Sequence, residues 1–281
     1  MVRIIADSTA DLAKDIEDKI IRVPLTIRFG DEEYIDGVTI SHTEFYEKLI
    51  GSDTVPQTSQ ATPDSFMKVL DEVTSNGDEA VVITLSSKLS GTYQSALIAA
   101  EEYDGKVFVV DSKSVAVGTG VLVEYAVQLA ENGKMTAREI AQELEIQREN
   151  IKVIALFDTL EYLKKGGRIS KTVAIAGGLL SIKPVISLVD GEIKILGTAR
   201  GSKQGNNLLI KQIEDTKGID FSKPVLLGYT GLSDAVLQKY IEDSSAIWKG
   251  NIEVLNTAHI GSVVGTHAGP GAIAAAFFVK E

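Results

Sequence analysis

Hydroxyl side chains are concentrated in residues 86–95, a stretch of ten positions that contains five serine or threonine residues. The preceding residues, 79–85, form a short apolar run that predicts a buried strand, and a helical pattern follows. At such a junction the first backbone N–H groups of the helix are unpaired and carry partial positive charge, so they favour an anion. Ser90 and Thr92 would add hydroxyl donors, and Gly91 would let a ligand approach the backbone. The stretch therefore predicts either an anion-binding loop or an ordinary helix cap.

Two other polar segments adjoin predicted strands or helices. Residues 55–61 are polar and aperiodic and include Thr58 and Ser59, so they predict a hydroxyl-rich loop that either binds a ligand or is a solvated connection. The segment Asp7-Ser8-Thr9 follows the first apolar run and predicts a turn and the cap of a helix that extends to about Lys19.

A histidine and three basic residues complete the candidates for ligand contact. His267 lies in residues 259–271, which predict a glycine-rich connection into a final apolar strand. Arg168, Lys183 and Arg200 lie in turns that are rich in glycine, and each taken alone is a charge of the kind that usually stays in solvent.

The chain has three histidines and no cysteine. The spacing of His259 and His267 favours a structural or hydrogen-bonding role over a metal pair, so we predict no metal site and no cofactor. The absence of cysteine excludes disulfides, thiolate chemistry and Cys-based zinc or iron–sulfur sites.

The composition restricts the class of protein and its partners. The chain of 281 residues has 44% hydrophobic and 24% charged residues, which are ordinary values for a globular protein. A formal net charge of −11 disfavours general electrostatic attraction to nucleic acid, so no nucleic acid partner is predicted. An acid occurs too early for a signal peptide, and the longest clearly apolar run, residues 272–279, is too short to span a membrane. We expect a soluble, cytoplasmic protein.

The order of predicted elements indicates an α/β fold with two domains. Strands alternate with helices up to about residue 157, which predicts a parallel sheet covered on both faces. Residues 184–198 then predict a hairpin with an Asp190-Gly191 turn, as expected in an antiparallel or mixed sheet. We therefore predict an N-terminal domain of residues 1–155 and a C-terminal domain of residues 156–281. One continuous strand is predicted at residues 21–29 and a helix at residues 171–180.

Several familiar catalytic motifs are absent. The sequence has no G-x-S-x-G nucleophile elbow and no G-x-x-x-x-G-K-[ST] phosphate loop. Gly118-Thr119-Gly120 and Gly269-Pro270-Gly271 lack the third glycine of a dinucleotide-binding fingerprint. Hydride transfer with a nicotinamide cofactor is therefore a poor explanation of this chain.

Six motifs, taken in order, resemble those of the DegV family of bacterial fatty-acid-binding proteins. They are Thr58-Ser59-Gln60, the segment from Leu85 to Ala96, Gly167-Arg168-Ile169, Ile182-Lys183-Pro184-Val185, Thr198-Ala199-Arg200 and His267-Ala268-Gly269-Pro270-Gly271. The likeness extends from Asp7-Ser8-Thr9 to the C-terminus. Because six ordered motifs match, the resemblance is highly specific.

This resemblance implies two α/β domains with a long-chain fatty acid between them. It further implies that the chain is the acyl-carrying subunit, FakB, of a bacterial fatty acid kinase and not itself an enzyme. Such a subunit presents the fatty acid carboxylate to a separate ATP-binding kinase subunit, which forms the acyl phosphate used in phospholipid synthesis. A transient contact with membranes is compatible with that role.

The resemblance also assigns roles to individual residues. It implies that Thr58 and Ser90 bind the carboxylate with His267 beside it, and that Arg200 works alongside the kinase. The full predicted ligand site is Thr58, Ser59, Ser90, Gly91, Thr92 and His267, and the residues predicted to face a phosphate or the partner are Arg168, Lys183 and Arg200. We expect residues 177–180 and 272–277 to help line the acyl tunnel, although ordinary core packing would explain them equally well.

Two other functional classes remain open from the residues themselves. In the first, an acyl hydrolase or transferase uses Ser90 as nucleophile and His267 as base, which also requires a group that orients the histidine and an oxyanion hole. In the second, the chain is a two-lobed receptor for a sugar or an amino acid. The scarcity of acids and aromatic residues in the candidate loops weakens this receptor hypothesis.

Overall fold

A computed structural model of the chain describes residues 1–103, 105–169 and 182–280. The helix predicted at residues 171–180 lies outside the described residues. The strands are β1 (Val2–Asp7), β2 (Ile21–Val23), β3 (Thr26–Phe29), β4 (Glu32–Ile35), β5 (Gln57–Ser59), β6 (Glu79–Thr84), β7 (Val107–Asp111), β8 (Ile151–Leu156), β9 (Ile182–Val189), β10 (Glu192–Arg200), β11 (Val225–Tyr229), β12 (Asn256–His259) and β13 (Ile273–Phe278).

Helices connect most of these strands. They are α1 (His42–Gly51), α2 (Pro63–Ser75), α3 (Thr92–Ala100), α4 (Val117–Asn132), α5 (Ala137–Gln147), α6 (Glu161–Lys165), α7 (Ser202–Glu214), α8 (Ala235–Asp243), α9 (Ser245–Trp248) and α10 (Ser262–Ala268). Several begin where the sequence offers a cap: Ser41 and Thr136 each form a reciprocal capping box with a glutamate three residues later.

The first sheet is parallel and has the strand order β2-β1-β6-β7. Its central strand β6 is buried over residues 80–84, because helices cover both faces of the sheet. The chain passes from β1 to β2 on one side and from β6 to β7 on the other, so the sheet has a switch point between β1 and β6. Ligand crevices of open α/β sheets form at the carboxyl ends of the strands at such a point.

The second sheet is mixed and has the strand order β10-β9-β8-β13-β11-β12. Strands β11 and β12 pair in parallel, whereas the other neighbours are antiparallel. The predicted hairpin is present as β9 and β10, and both residues of its turn, Asp190 and Gly191, have positive φ angles as an Asp-Gly hairpin turn requires. The predicted α/β class with a parallel first sheet and a mixed second sheet is confirmed.

Strand β8 pairs with β9 and β13 of the second sheet. The predicted division after residue 155 would therefore cut this strand away from its own sheet. The division into two domains remains a prediction, and the strand pairing favours placing the division before Ile151. Apolar periodicity identifies a strand, but it does not say which sheet the strand joins.

The prediction of one strand over residues 21–29 is wrong. The chain forms β2 in the first sheet and then β3, which pairs with β4 and β5 in a small antiparallel sheet. The change of direction occurs at Pro24, which has no N–H to donate to a ladder.

The prediction of a helix after Asp7 is also wrong, because only a single 3₁₀ turn forms, at Glu17–Lys19. The carboxylate of Asp7 accepts hydrogen bonds from the backbone N–H groups of Thr9 at 2.9 Å and Leu85 at 2.7 Å. The hydroxyl of Ser8 accepts one from the backbone N–H of Leu25 at 3.1 Å. These side chains accept hydrogen bonds from the backbone of neighbouring segments instead of capping a helix.

Helix α4 lies between the two large sheets, and its glycines allow the close contact. A Cβ atom on Gly118 would lie 2.1 Å from the Val153 side chain of β8, and one on Gly120 would lie 2.0 Å from the Asp11 carbonyl oxygen. Buried residues of both sheets, such as Ile4 and Ala155, therefore join α4 in one continuous core. The Gly118-Thr119-Gly120 motif has a packing role in this core.

Candidate ligand-binding site

A cavity of about 390 Å³ lies between the two large sheets. On one side it meets the loops that follow β1, β6 and β7, represented by Thr9, Leu85 and Val115. On the other side it meets the second sheet, including Ala155 and Ala274. Its volume lies within the range of small-molecule sites, about 300–1,000 Å³. The cavity occupies the crevice that the switch point of the first sheet predicts.

Most of the cavity wall is aliphatic. Strand β9 contributes Ile186 and Leu188, whereas Val185, directly before Ile186, belongs to the core on the other face of the sheet. Leu25 and Leu89 line the opposite side. A wall of this kind favours an apolar ligand over a polar one.

One part of the wall is polar. Thr58 and Ser59 come from β5, Ser90 and Gly91 lie just before α3, and His267 lies near the end of α10. The structure thus brings five of the predicted ligand-site residues, from three distant segments, to the same cavity.

Thr58 and His267 are joined by a hydrogen bond, because the Thr58 Oγ1 and His267 Nε2 atoms lie 3.0 Å apart. Thr58 is the middle residue of β5 and pairs with Ile27 of β3. Helix α10 packs against β3 and β5, which brings His267 to this strand. The prediction of a glycine-rich connection over residues 259–271 missed this helix, since glycines at both ends of a short helix resemble a loop in sequence.

Ser90 is held by hydrogen bonds to Thr92. Its Oγ accepts a hydrogen bond from the Thr92 backbone N–H at 3.3 Å and lies 3.0 Å from the Thr92 hydroxyl. Thr92 is fully buried and lies outside the cavity wall, so it contributes through Ser90. It is the first residue of α3, whose N-terminal end carries partial positive charge toward the same region.

The loop predicted over residues 55–61 contains strand β5. Gln60, directly after this strand, contacts the segment before α3 and was missing from the predicted site. A Cβ atom on Gly91 would lie 2.1 Å from the Gln60 Oε1 atom, so the glycine lets the amide pack against the loop backbone. The Gln60 Nε2 group donates to the Ser95 hydroxyl at 2.8 Å. Its position directly after Thr58-Ser59 was a sequence signal that it could belong to the site. Its contact with Gly91 is a tertiary contact, which the sequence does not show.

Burial lowers the pKa of His267 to about 4, and the positive charge of Arg168 acts in the same direction. The Nδ1 atom is buried and has no hydrogen-bond partner within residues 1–103, 105–169 and 182–280. It lies against Gly166, where a Cβ atom would come within 2.1 Å of it. The ring is therefore a neutral hydrogen-bonding group at physiological pH.

We expect the imidazole of His267 to titrate with a pKa of about 4 instead of 6.5. Between these values the unfolded chain binds a proton at this position that the folded chain does not, so stability is lost as the pH falls from 6.5 toward 4. NMR of ¹⁵N-labelled histidine would follow the three rings, and His267→Gln would identify the signal and remove its share of the pH dependence. A His267 pKa near 6.5 would contradict the expectation.

Arg168 lines the cavity, and its guanidinium is engaged with backbone. Its Nε donates to the Leu89 carbonyl at 3.2 Å and its Nη1 to the Gly166 carbonyl at 2.7 Å. The side chain therefore links the segment after α6 to the segment before Ser90. Its role toward a phosphate or a partner stays a prediction.

Lys183 and Arg200 do not line the cavity. Lys183 pairs with the carboxylate of Asp158, and its stem packs near Gly205 of α7. Arg200, at the end of β10, is exposed and stands opposite Ile182. Because register positions alternate between faces, the two basic residues point to opposite sides of the hairpin.

The expected tunnel residues are only partly on the cavity. Ala272, Ile273 and Ala274 line it, whereas Phe277 belongs to the core on the outer face of the second sheet. Residues 177–180 lie outside the described part of the chain.

Neither a metal centre nor a membrane span is found in the part of the chain that the structure describes. No group of three or more His, Asp or Glu side chains there is arranged to hold a metal ion. No helix there has both the length and the apolar character needed to cross a bilayer.

A family model described as "Uncharacterised protein, DegV family" matches residues 1–280. A DegV domain-containing protein of Caldanaerobacter subterraneus subsp. tengcongensis is 36% identical to this chain over 285 residues, which cover 100% of this chain and 99% of that protein.

Two solved structures share this fold along nearly the whole chain. One is the structure of a DegV family protein from Thermus thermophilus, described by its fatty acid binding. It superimposes with a TM-score of 0.87 at 32% identity, and the match covers 99% of both chains. The other is a stearic acid-binding protein from Eubacterium ventriosum, with a TM-score of 0.86 at 27% identity and coverage of 99% of this chain and 98% of that one.

Proposed function

This chain belongs to the DegV family, and from that premise we propose that it binds one long-chain fatty acid in the cavity between its two sheets. The proposal depends on a single observation: the hydroxyl donors Thr58 and Ser90 lie on the wall of a cavity that is otherwise mostly aliphatic. Relatives of the same fold bind fatty acids, which supports the same ligand class here.

The acyl tail supplies most of the affinity. Each buried methylene contributes about 0.8 kcal/mol, so a chain of about sixteen carbons gains roughly 10 kcal/mol before ordering costs. A hydrogen bond to a charged group adds about 1.5–3 kcal/mol. The tail therefore determines tightness, and the carboxylate contacts determine which way the ligand points.

The hydrogen bonds around the hydroxyls leave their protons free for the carboxylate. Since a buried acceptor without a partner costs less than a buried N–H without one, we place the His267 proton on Nε2 and leave Nδ1 as the unpaired acceptor. Thr58 then accepts from His267 and directs its own O–H into the cavity. Ser90 accepts from the Thr92 backbone N–H, and when the Thr92 hydroxyl is the donor to the Ser90 oxygen, the Ser90 O–H is free to donate to the carboxylate.

Neutral donors suit a carboxylate that must react. An arginine guanidinium would bind both carboxylate oxygens in a bidentate pair. Arg168, however, donates two of its N–H groups to backbone carbonyls. Hydroxyl donors orient the carboxylate and leave an oxygen able to attack the γ-phosphate of ATP, so that an acyl phosphate forms and ADP leaves. We therefore propose that the chain presents the acid to a separate kinase subunit in the cytoplasm, as a FakB-type carrier.

The hydrolase alternative receives less support. His267 is hydrogen-bonded to Thr58, and Ser90 to Thr92, so no Ser–His pair is in place. No carboxylate orients His267, because its Nδ1 has no partner in the described chain. A catalytic histidine with a pKa of about 4 would also be a weak general base.

The organic extract of the purified protein tests the ligand class directly. A tightly held fatty acid should copurify and appear by mass spectrometry at about one per chain, and delipidated protein should bind oleate but not a sugar or an amino acid. Binding of a polar solute without oleate would support the receptor hypothesis and end this proposal. Ester hydrolysis that is lost in Ser90→Ala would support the hydrolase instead.

We expect Arg200→Ala to leave fatty acid affinity unchanged within about twofold and to lower phosphorylation by the kinase subunit by about tenfold or more. Arg200 is exposed and lies outside the cavity wall, so its removal changes charge presented to a partner and not the contacts of the ligand. Isothermal titration with oleate and acyl phosphate formation from ATP measure the two quantities. Lys211→Ala, a basic residue on the neighbouring helix, is the control, and equal loss of binding and phosphorylation in Arg200→Ala would contradict the division of roles.

A further inference from the structure

Helix α10, which carries His267, is attached at its first residues to two aspartates of the N-terminal part of the chain. The Asp11 Oδ1 atom accepts a hydrogen bond from the Gly261 backbone N–H at 2.8 Å, and Asp36 Oδ1 accepts one from the Ser262 N–H at 3.3 Å. Both aspartates are nearly inaccessible, with 3% and 2% of their surfaces exposed. Two buried side chains thus satisfy the first free N–H groups of this helix.

Tyr46 strengthens the same attachment. Its hydroxyl donates to the Ile260 carbonyl at 3.0 Å, directly before the helix. One turn further on, a Cβ atom on Gly265 would lie 2.5 Å from the Tyr46 hydroxyl, so the two surfaces are in tight contact. Helix α10 belongs by chain order to the second sheet, but its beginning is held by α1 and the loops after β1 and β4.

Three buried oxygens of this attachment have no partner in the described residues: Asp11 Oδ2, Asp36 Oδ2 and Ser262 Oγ. Leaving buried polar atoms unpaired is costly, and a core built only for stability would place apolar side chains here. The arrangement is therefore better explained by what the aspartates hold in place. What they hold is a helix of about two turns that ends in His267, the partner of Thr58.

We propose that Asp11 and Asp36 are positioning residues of the carboxylate site, which hold α10 so that His267 stays within hydrogen-bond distance of Thr58. This inference rests on the proposed fatty acid function. Asp7 has the matching role on the other side, because its carboxylate holds the backbone of Leu85 at the start of the segment that contains Ser90. Asp7 at the end of β1, Asp11 after it and Asp36 after β4 thus hold both halves of the ligand cluster.

The charge environment shows which substitution is conservative. Burial raises the pKa of Asp11 well above its ordinary range, and the nearby Asp36 and Asp7 add to the increase, whereas the Gly261 N–H and Arg22 oppose it. A neutral acceptor is therefore tolerated at this position. Asp11→Asn keeps an acceptor for Gly261 without charge, and Asp11→Ala removes the acceptor.

The decisive experiment compares a ligand that has a carboxylate with one that lacks it. Delipidated wild type, Asp11→Ala, Asp36→Ala and the corresponding asparagine variants are titrated with oleate and with oleyl alcohol, and thermal unfolding reports the folded fraction. We expect each alanine variant to lower the oleate-to-oleyl-alcohol affinity ratio by about tenfold, the loss of roughly one hydrogen bond to a charged group. We expect Asp11→Asn and Asp36→Asn to retain most of that ratio.

NMR of ¹⁵N-labelled histidine provides a second measurement on the same proteins. The His267 Nε2 signal should change in the alanine variants, because its hydrogen bond to Thr58 weakens. Should an alanine variant fail to fold, Asp11→Ser and Asp36→Ser replace it, since serine keeps a polar group but is too short to reach the helix N–H groups.

Each outcome decides between the hypotheses. An equal loss for both ligands, or an unchanged ratio with an unchanged His267 signal, overturns the positioning role and leaves the aspartates as structural residues. Wild-type protein that binds neither lipid overturns the proposed function itself, which separates that failure from failure of this inference.

Discussion

Replacement of Ala274 by phenylalanine is expected to lower the affinity for an eighteen-carbon fatty acid by about a thousandfold. Ala274 lies on β13 between Ala155 and Gly228 of the neighbouring strands, and its side chain faces the cavity. A phenyl ring there would occupy the space of about five methylene groups. At about 0.8 kcal/mol each, their exclusion costs about 4 kcal/mol of binding free energy, which corresponds to roughly a thousandfold in Kd.

The effect should depend on chain length, because the ring shortens the cavity without changing the hydroxyl cluster. A dodecanoic acid should lose much less affinity than an octadecanoic acid in the same variant, as measured by displacement of a fluorescent fatty acid. Ala246→Phe is the matched control, since Ala246 is exposed on α9 and does not line the cavity. Unchanged binding of the long acid by a folded Ala274→Phe protein would place the acyl chain elsewhere.

The double substitution of Thr58→Val with Ser90→Ala is expected to weaken fatty acid binding by at least about a hundredfold. Each hydroxyl contributes about 1.5–3 kcal/mol to a carboxylate contact, so their joint loss amounts to about 3–6 kcal/mol. Valine at position 58 also leaves the Nε2 atom of His267 without its partner. Isothermal titration with oleate measures the loss.

The loss should be specific to the acidic head group. The affinity for oleyl alcohol should fall far less, because the tail contacts are unchanged. Ser87→Ala is the control within the same segment, since Ser87 is exposed and its side chain does not line the cavity. If acid and alcohol lose affinity equally, the hydroxyls do not hold the carboxylate.

The predicted fold depended on local signals that the structure bears out. Apolar runs such as residues 79–84 became buried parallel strands, and Asp190-Gly191 became a hairpin turn, because both signals act over a few neighbouring residues. The errors occurred where a side chain bonds to a distant segment. Asp7 resembles a helix cap in sequence, but its carboxylate accepts a hydrogen bond from the backbone N–H of Leu85, which is distant in the chain.

The candidate site shows the same contrast. Motif matching selected Thr58, Ser90 and His267, and the structure places all three on one cavity. It contained Gln60 but gave no role to this residue, whose side chain packs on Gly91. It did not find Asp36, whose carboxylate holds the start of α10. Nothing in the local pattern around Asp36 distinguishes it from an ordinary turn residue.

The sequence by itself determined the alternation of strands and helices, the family and the supply of hydroxyl donors, because these depend on residue type and short-range spacing. Only the tertiary structure decided which sheet β8 joins, which residues of β13 face the cavity, and that Thr58 is paired with His267. Those features depend on contacts between residues far apart in the chain. Such contacts exist only after the two sheets pack around α4, so no local pattern encodes them.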